Sequence, residues 1–260
     1  MGFFDESDRL AELSKMGDPL EKLNRVMDWS IFLPILNRAF TKERKAVGRP
    51  PYEYILMFKI LVLQRLFNLS DDQTEYQTKD RMSFMRFLGL DLCDRIPDAK
   101  TIWLFRENLI KADVIKELFN LFTTQLADKG LVTRTGTIVD ATFVDAPRQR
   151  NTREENKAIK EGVVPEEWKK PENANKCRQK DTDARWTKKG NETHYGFKDH
   201  AKVDKDSKLI TDYSVTDASV HDSREIEGLI DQNDNEAYAD SAYVGEELHE
   251  KLRKKARISY

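Results

Sequence analysis

The chain has 260 residues, 44 Lys plus Arg against 46 Asp plus Glu for a formal charge of −2, and is 39% hydrophobic and 35% charged. This is the composition of a folded globular chain, and it excludes collagen-like and wholly disordered classes. Two cysteines, Cys93 and Cys177, exclude a disulfide framework and a four-cysteine zinc site. The acids Asp5, Glu6 and Asp8 exclude a signal peptide, and the longest apolar run, 55–63, is interrupted by Lys59 and too short for a bilayer, so a cytoplasmic protein with no membrane partner is expected.

The N-terminal half reads as successive helices. Leu20, Leu23, Val26, Met27 and then Phe32, Leu33, Ile35, Leu36 recur at helical spacing, with Pro34 expected to kink or split the segment. Gly48-Arg49-Pro50-Pro51 forms a break, and 52–68 follows as an apolar helix with Pro51 in its first turn. Ser70 and Gln73 have the spacing of a capping box, opening a helix to Leu88 that Gly89 stops. Asp98 is the expected cap of a helix burying Ile102, Phe105 and Leu109, and a last helix over 113–129 closes at Gly130. Between 38 and 65, seven basic residues including Arg49 face two acidic ones, a local cationic stretch that suits a polyanion or an ordinary solvated face.

The pattern then changes. Residues 135–146 are rich in β-branched side chains and end at Pro147, which predicts the first strand. Residues 148–192 are polar and charged, which predicts a long, partly disordered insertion or mobile loop. Strands are expected at 194–203 and 209–216, a short helix at 221–231, a strand at 236–239, a helix at 245–257 and the start of a strand at 258. The fold class is therefore α plus α/β: a helical region over 1–130, then a mixed β-sheet domain over 131–260.

Two acids sit oddly in this pattern. Asp140 interrupts a strand otherwise fit for burial, and Asp240 ends the apolar strand before it. A carboxylate there is costly without a partner. Asp140 could face solvent or pair with Arg134 or Arg148; alternatively both acids could converge on adjacent strands and hold Mg²⁺ or Mn²⁺, which favour hard oxygen ligands. Asp145 fits an exposed strand-end acid or a neighbour of the site. His194, His200 and His221-Asp222 fit hydrogen-bonded positions or a site margin, and Trp168 and Trp186 among cations fit either nucleic-acid contact or a loop anchor.

Several motifs occur in order: Gly136-Thr137-Ile138-Val139-Asp140-Ala141-Thr142 with Ala146-Pro147; Thr187-Lys188-Lys189-Gly190-Asn191-Glu192; His194-Tyr195-Gly196-Phe197-Lys198-Asp199-His200; Ser219-Val220-His221-Asp222; and Ala239-Asp240-Ser241-Ala242-Tyr243. Upstream stand Gly48-Arg49-Pro50-Pro51-Tyr52, Ile96-Pro97-Asp98 and Thr101-Ile102-Trp103-Leu104-Phe105-Arg106. This series, over residues 20–258, resembles the bacterial DDE transposases of the insertion sequence five family.

The resemblance implies a ribonuclease-H-like catalytic domain in which Asp140 and Asp240 are the first and second catalytic acids. They would bind two Mg²⁺ (or Mn²⁺) ions for in-line phosphodiester transfer. The helical region would bind the terminal inverted repeats of double-stranded DNA and support a homo-multimer, in a nucleoid-associated protein, with 70–88 and 98–109 resembling a helix-turn-helix pair. Arg49, Lys188, Lys189 and Lys198 are the candidate DNA contacts. The family's third acid, a Glu on a later helix, has no counterpart assigned here: only 20 residues follow Asp240, and Glu246, Glu247 and Glu250 fit a solvated face. The catalytic domain is thus expected to be C-terminally incomplete. Three alternatives stand beside an active transposase: a catalytically dead DNA-binding fragment or inhibitor of transposition, a decayed remnant, and a host nuclease of the same fold.

Overall fold

The computed structural model describes residues 5–40, 50–147, 151–173, 175, 180–239 and 257–259. Arg49, Arg148, Cys177, Asp240 and the helix expected at 245–257, except its last residue, lie outside the described residues; Arg257 begins a strand instead. The chain divides into two compact units, Met1–Leu131 and Val132–Tyr260.

The first unit is helical among its described residues: α1 (Asp5–Lys15), α2 (Pro19–Val26), α3 (Leu33–Ala39), α4 (Tyr54–Leu66), α5 (Asp71–Asp80), α6 (Met82–Leu88), α7 (Ala99–Lys111) and α8 (Ile115–Asp128). Side-chain caps start several of them. The Asp18 carboxylate accepts the Leu20 amide before α2, and Asp98 accepts the Thr101 amide before α7. Ser70 and Gln73 form the expected reciprocal capping box of α5. The segment around Pro34 is split, as expected, rather than kinked: α2 ends at Val26, a 3-10 turn spans Trp29–Phe32, and Pro34 stands in the first turn of α3, where its missing N–H costs nothing. Pro51 lies outside α4, which begins at Tyr54. The helix expected from Ser70 to Leu88 is two helices, because Arg81 adopts an extended backbone (ψ 114°) between them. Gly89, at φ +73°, closes the second as expected.

An aromatic cluster fills this unit. Phe32 is fully buried, with ring centroids 4.8 Å from Phe58 and 6.1 Å from Trp29, and Trp29 meets Phe87 edge-on at 5.5 Å. Lys59 is buried beneath it. Its Nζ donates to the Phe87 carbonyl oxygen (2.6 Å) and lies 4.8 Å from the Phe87 ring, while burial pushes its ammonium pKa down. Arg106 of α7 donates to both carboxylate oxygens of Asp71 (2.7 and 2.9 Å), and Glu75 of α5 accepts the Ala99 amide (2.8 Å).

The second unit is built on a six-stranded mixed sheet: β1 (Thr137–Asp145), β2 (Arg185–Lys189), β3 (Glu192–Asp204), β4 (Ile210–Asp217), β5 (Glu236–Ala239) and β6 (Arg257–Ser259). β3 pairs antiparallel with β1, β2 and β4, whereas β1–β5 and β5–β6 are parallel. Residues Phe197 to Val203 of β3 pair with both β1 and β4, so these lie on opposite edges of β3. The path is β4–β3–β1–β5–β6, with β2 extending from the N-terminal part of β3.

The insertion is more ordered than its composition suggests. Among its described residues are α9 (Arg153–Lys160), α10 (Glu166–Lys169) and β2. A second capping box, Thr152 with Glu155, starts α9, and the other oxygen of Glu155 accepts the Trp168 indole N–H at 2.7 Å. Trp168 is buried and anchors the insertion. After β4 the chain makes the one-turn helix α11 (Ile226–Leu229). Ile226, Leu229 and Ile230 form a core cluster with Val139 and Ala237, against which Ala239 packs.

One glycine is required by contact. Gly196, at φ +153°, lies where β1 and β3 cross so closely that a Cβ would stand 2.1 Å from the Val144 carbonyl oxygen.

Candidate catalytic site

Asp140 sits on β1 with an exposed side chain, and its carboxylate accepts the amide of its neighbour Ala141 at 2.8 Å. Of the two arginines weighed as its partner, Arg134 makes no ion pair with it among the described residues, and Arg148 lies outside them. The register of β1 with β5 is Thr137↔Ala237, Ile138↔Tyr238, Val139↔Ala239. Asp140 follows Val139 in sequence and Asp240 follows Ala239, so each acid is the residue immediately after the last described rung.

Strand alternation divides the neighbours of Asp140 between two faces. Opposite residues of an antiparallel pair share a face, so Asp140 lies with Ala201, Thr142 with Asp199, and Val144 with Phe197. The other face carries Val139, Phe143, Lys198, His200 and Lys202, and α11 packs there. His194 stacks flat on Phe143 (centroids 4.1 Å, 2° apart), and Lys189 Nζ lies 5.9 Å from the same ring. Lys189 and His194 therefore belong to the α11 face. Lys188, paired with Thr193, projects to the Asp140 face and is exposed.

Lys198 differs most from its expectation as a DNA contact. It is 8% exposed, and its Nζ donates to the Val220 carbonyl oxygen (2.7 Å) and Asp222 Oδ1 (2.8 Å). A phosphate would have to displace the half-buried Asp222 carboxylate to reach it, on the face away from Asp140. Two motifs with no assigned chemistry thus meet as an ion pair.

The histidines are similarly engaged. His200 is fully buried, with Nε2 3.0 Å from the Thr216 hydroxyl and no hydrogen-bond partner for Nδ1 among the described residues. Burial lowers its pKa below the ordinary imidazole value, against the opposing pull of Asp222 and Glu225. His221 is exposed, with Nδ1 2.8 Å from the Ser223 hydroxyl. Asp145 is an exposed strand-end acid, 3.6 Å from His194 Nδ1. Trp186 is 46% exposed and its ring tilts against Tyr195 at 4.9 Å.

Sequence reasoning passed over the acids that hold this unit together. Lys202 Nζ lies 2.8 Å from Asp234 and 3.2 Å from Asp231, and Asp234 also accepts the Thr137 hydroxyl (2.7 Å). Asp204, 1% exposed, accepts the Arg134 amide (2.8 Å), the Thr133 hydroxyl (3.2 Å) and both the amide (2.9 Å) and hydroxyl (2.6 Å) of Ser207. Burial alone would raise its pKa, but these donors outweigh it and bring the carboxyl down to about 2. The signal was present: Lys198, His200, Lys202 and Asp204 occupy alternate positions of one strand, a row of ionisable side chains on one face.

A divalent cation suits Asp140 by donor chemistry, since its carboxylate is exposed and has no cation beside it among the described residues. The described residues bring together no group of three or more His, Cys, Asp or Glu able to hold a metal ion. No helix among them is long and apolar enough to cross a membrane.

Comparison with known families gives two matches. Residues 8–108 match the family described as Transposase domain (DUF772), and residues 132–260 match the family described as Transposase DDE domain. No solved structure matches the chain. With a transposase domain in its helical part and a DDE domain carrying Asp140 on its first strand, the chain is a transposase of the DDE kind.

Proposed function

We propose that this protein is the transposase of an insertion sequence of the family-five type, binding the terminal inverted repeats of its element and cleaving and joining DNA there. The observation that carries this reading is the position of Asp140, which is exposed, free of cation partners among the described residues, and next to Val139 in the last described rung of the β1–β5 ladder; in sequence, Asp240 likewise follows Ala239, the other member of that rung. We assign them as the acids that hold the divalent ions. The sheet path, three antiparallel neighbours continued by two parallel ones, supports a ribonuclease-H-like catalytic domain. The helical unit takes the role of repeat binding and multimer formation, with Arg49 a candidate contact.

Bound Mg²⁺ or Mn²⁺ would activate the attacking oxygen and stabilise the leaving oxygen of the phosphodiester. The protein's part is to hold carboxylate oxygens at a fixed point on a rigid sheet and to bring the DNA backbone there. Of the basic candidates in this unit, Lys188 shares the face of Asp140 and is assigned to the phosphates beside it. Lys189 serves a backbone segment on the other face, and Lys198 acts within the protein.

The test is strand cleavage by the full chain on duplex DNA carrying the element's inverted repeats, with Mg²⁺. We expect cleavage at the repeat ends, reduced in Asp140→Asn by more than the roughly 10–100-fold typical of an outer-shell change. Repeat-specific binding without cleavage, unchanged by Asp140→Asn, would replace this reading with a DNA-binding inhibitor. Absence of both binding and cleavage would sink both.

A further inference from the structure

α11 is a single turn, Ile226–Leu229, and one turn of helix has no stability of its own. Yet Ile226, Leu229 and Ile230 are each at most 3% exposed, packed on Val139 and Ala237 with Ala239 alongside. Val139, Ala237 and Ala239 belong to the short ladder by which β5 joins β1, and Asp140 is the next residue on β1. The underside of the Asp140 position therefore depends on an element that cannot hold itself in place.

β3, with one contact from β4, supplies the missing support. Before the turn, Lys198 Nζ donates to the Val220 carbonyl oxygen (2.7 Å) and Asp222 (2.8 Å). At its start, Glu225 accepts the hydroxyl of Ser214 on β4 (2.6 Å). After it, Lys202 Nζ reaches Asp231 (3.2 Å) and Asp234 (2.8 Å), and Asp234 is tied by the Thr137 hydroxyl to the first residue of β1. The two lysines lie on one face of one strand, about 13 Å apart along it, and both are buried. Burying two ammonium groups is costly where apolar side chains would pack without penalty. An apolar contact can slide, whereas an ion pair with hydrogen bonds fixes both distance and direction.

We propose that Lys198 and Lys202 are positioning residues for Asp140: they clamp α11 at both ends against the β1–β5 ladder and so fix the carboxylate that binds the divalent ion. This rests on the assignment of Asp140 as a metal-binding acid. Releasing either end lets α11 leave Val139, and a ladder of three residue pairs then loses its backing. Outer supports of this kind set metal affinity by holding the ligand in its bound orientation.

The test uses the full chain and Mn²⁺ alone as the probe, with free Mn²⁺ read by electron paramagnetic resonance and amide hydrogen exchange read in parallel. The principal variant is the double substitution Lys198→Met with Asp222→Asn, which leaves no buried charge unpaired. We expect about tenfold weaker Mn²⁺ binding. We also expect faster exchange confined to residues 137–141 and 236–239, with the β3–β4 amides unchanged. Asp204→Asn is the control, because it weakens the same unit at the far end of β3 from Lys198 and leaves in place the Lys198–Asp222 pair that the double variant removes; it should lower the thermal midpoint and leave Mn²⁺ affinity unchanged. Wild-type affinity and exchange in the double variant overturn the proposal, as does an equal loss of affinity in Asp204→Asn. If Asp140→Asn binds Mn²⁺ as tightly as the native chain, the metal assignment fails, and the exchange pattern alone then decides whether the clamp exists.

Discussion

The two units solve the same problem of burial with different materials. In the helical unit the interior is aromatic: Phe32 is fully buried beside Trp29 and Phe58, and Phe84 and Phe87 are buried in the same unit. In the sheet unit one face of β3 buries Lys198, His200, Lys202 and Asp204, three of them tied to acids or hydroxyls of the segments that cover them. Apolar packing is non-directional and tolerates small shifts. Buried ion pairs contribute little net stability but impose one arrangement, and they are sensitive to pH and to loss of a single partner. The unit expected to do chemistry is the one built from the stricter material.

The contrast is broken most forcefully from the helical side. Phe32→Ala should cost about 3–5 kcal/mol, because it removes a large ring from the centre of a packed cluster. Hydrogen exchange should show that loss in Met1–Leu131, and the cost should be the same at pH 5 and pH 8. A loss that varied with pH would mean that charge governs this unit as well.

Acid sharpens the contrast next. Asp204 titrates near 2 when folded, below the ordinary carboxylate value near 3.8. Its stabilising effect is complete above that ordinary value and is lost as pH falls from there through about 2. The amount is on the order of 2 kcal/mol. Asp204→Asn should destabilise the sheet unit at neutral pH and flatten its unfolding curve between pH 4 and pH 2. An unchanged acid slope would remove Asp204 from the account.

The smallest effect tests whether local capping matters where the core is apolar. Ser70→Ala removes the hydroxyl that accepts the Gln73 amide at 3.2 Å and should cost about 1 kcal/mol. Thermal unfolding of the variant at neutral pH would show it; a shift no larger than experimental error would mean that packing alone holds α5.

Helix caps and strand textures were legible in the sequence because both are local. Ser70 with Gln73, Asp98 and Gly89 act where the chain placed them, and 236–239 forms a strand as its pattern indicated. The break at Arg81 was not legible, because nothing in Lys79-Asp80-Arg81-Met82 marks a turn and tertiary packing decides it. The insertion misled for the opposite reason. Its charge suggested disorder, although Thr152 and Glu155 carried the same capping signal as Ser70 and Gln73. In the candidate site, Asp140 stood out as an acid within an apolar strand. The inward direction of Lys198 did not, because a lysine on a strand faces either way until pairing is known. Only the register with β1 and the arrival of Asp222 from a loop 24 residues later settle it.

The hairpin joining β2 to β3 turns in two residues, with Gly190 at φ +61°. Such a turn sets which residues of β2 face up and which face down, and strand alternation leaves only two choices. A slide of β2 by one rung along β3 would exchange Lys188 and Lys189, carrying the first away from Asp140 and bringing the second to it. A slide of two rungs would restore the original pattern. The register that this turn pins is therefore read as odd or even: a slip by one rung acts as a polarity switch, while a slip by two leaves the surface beside Asp140 chemically intact.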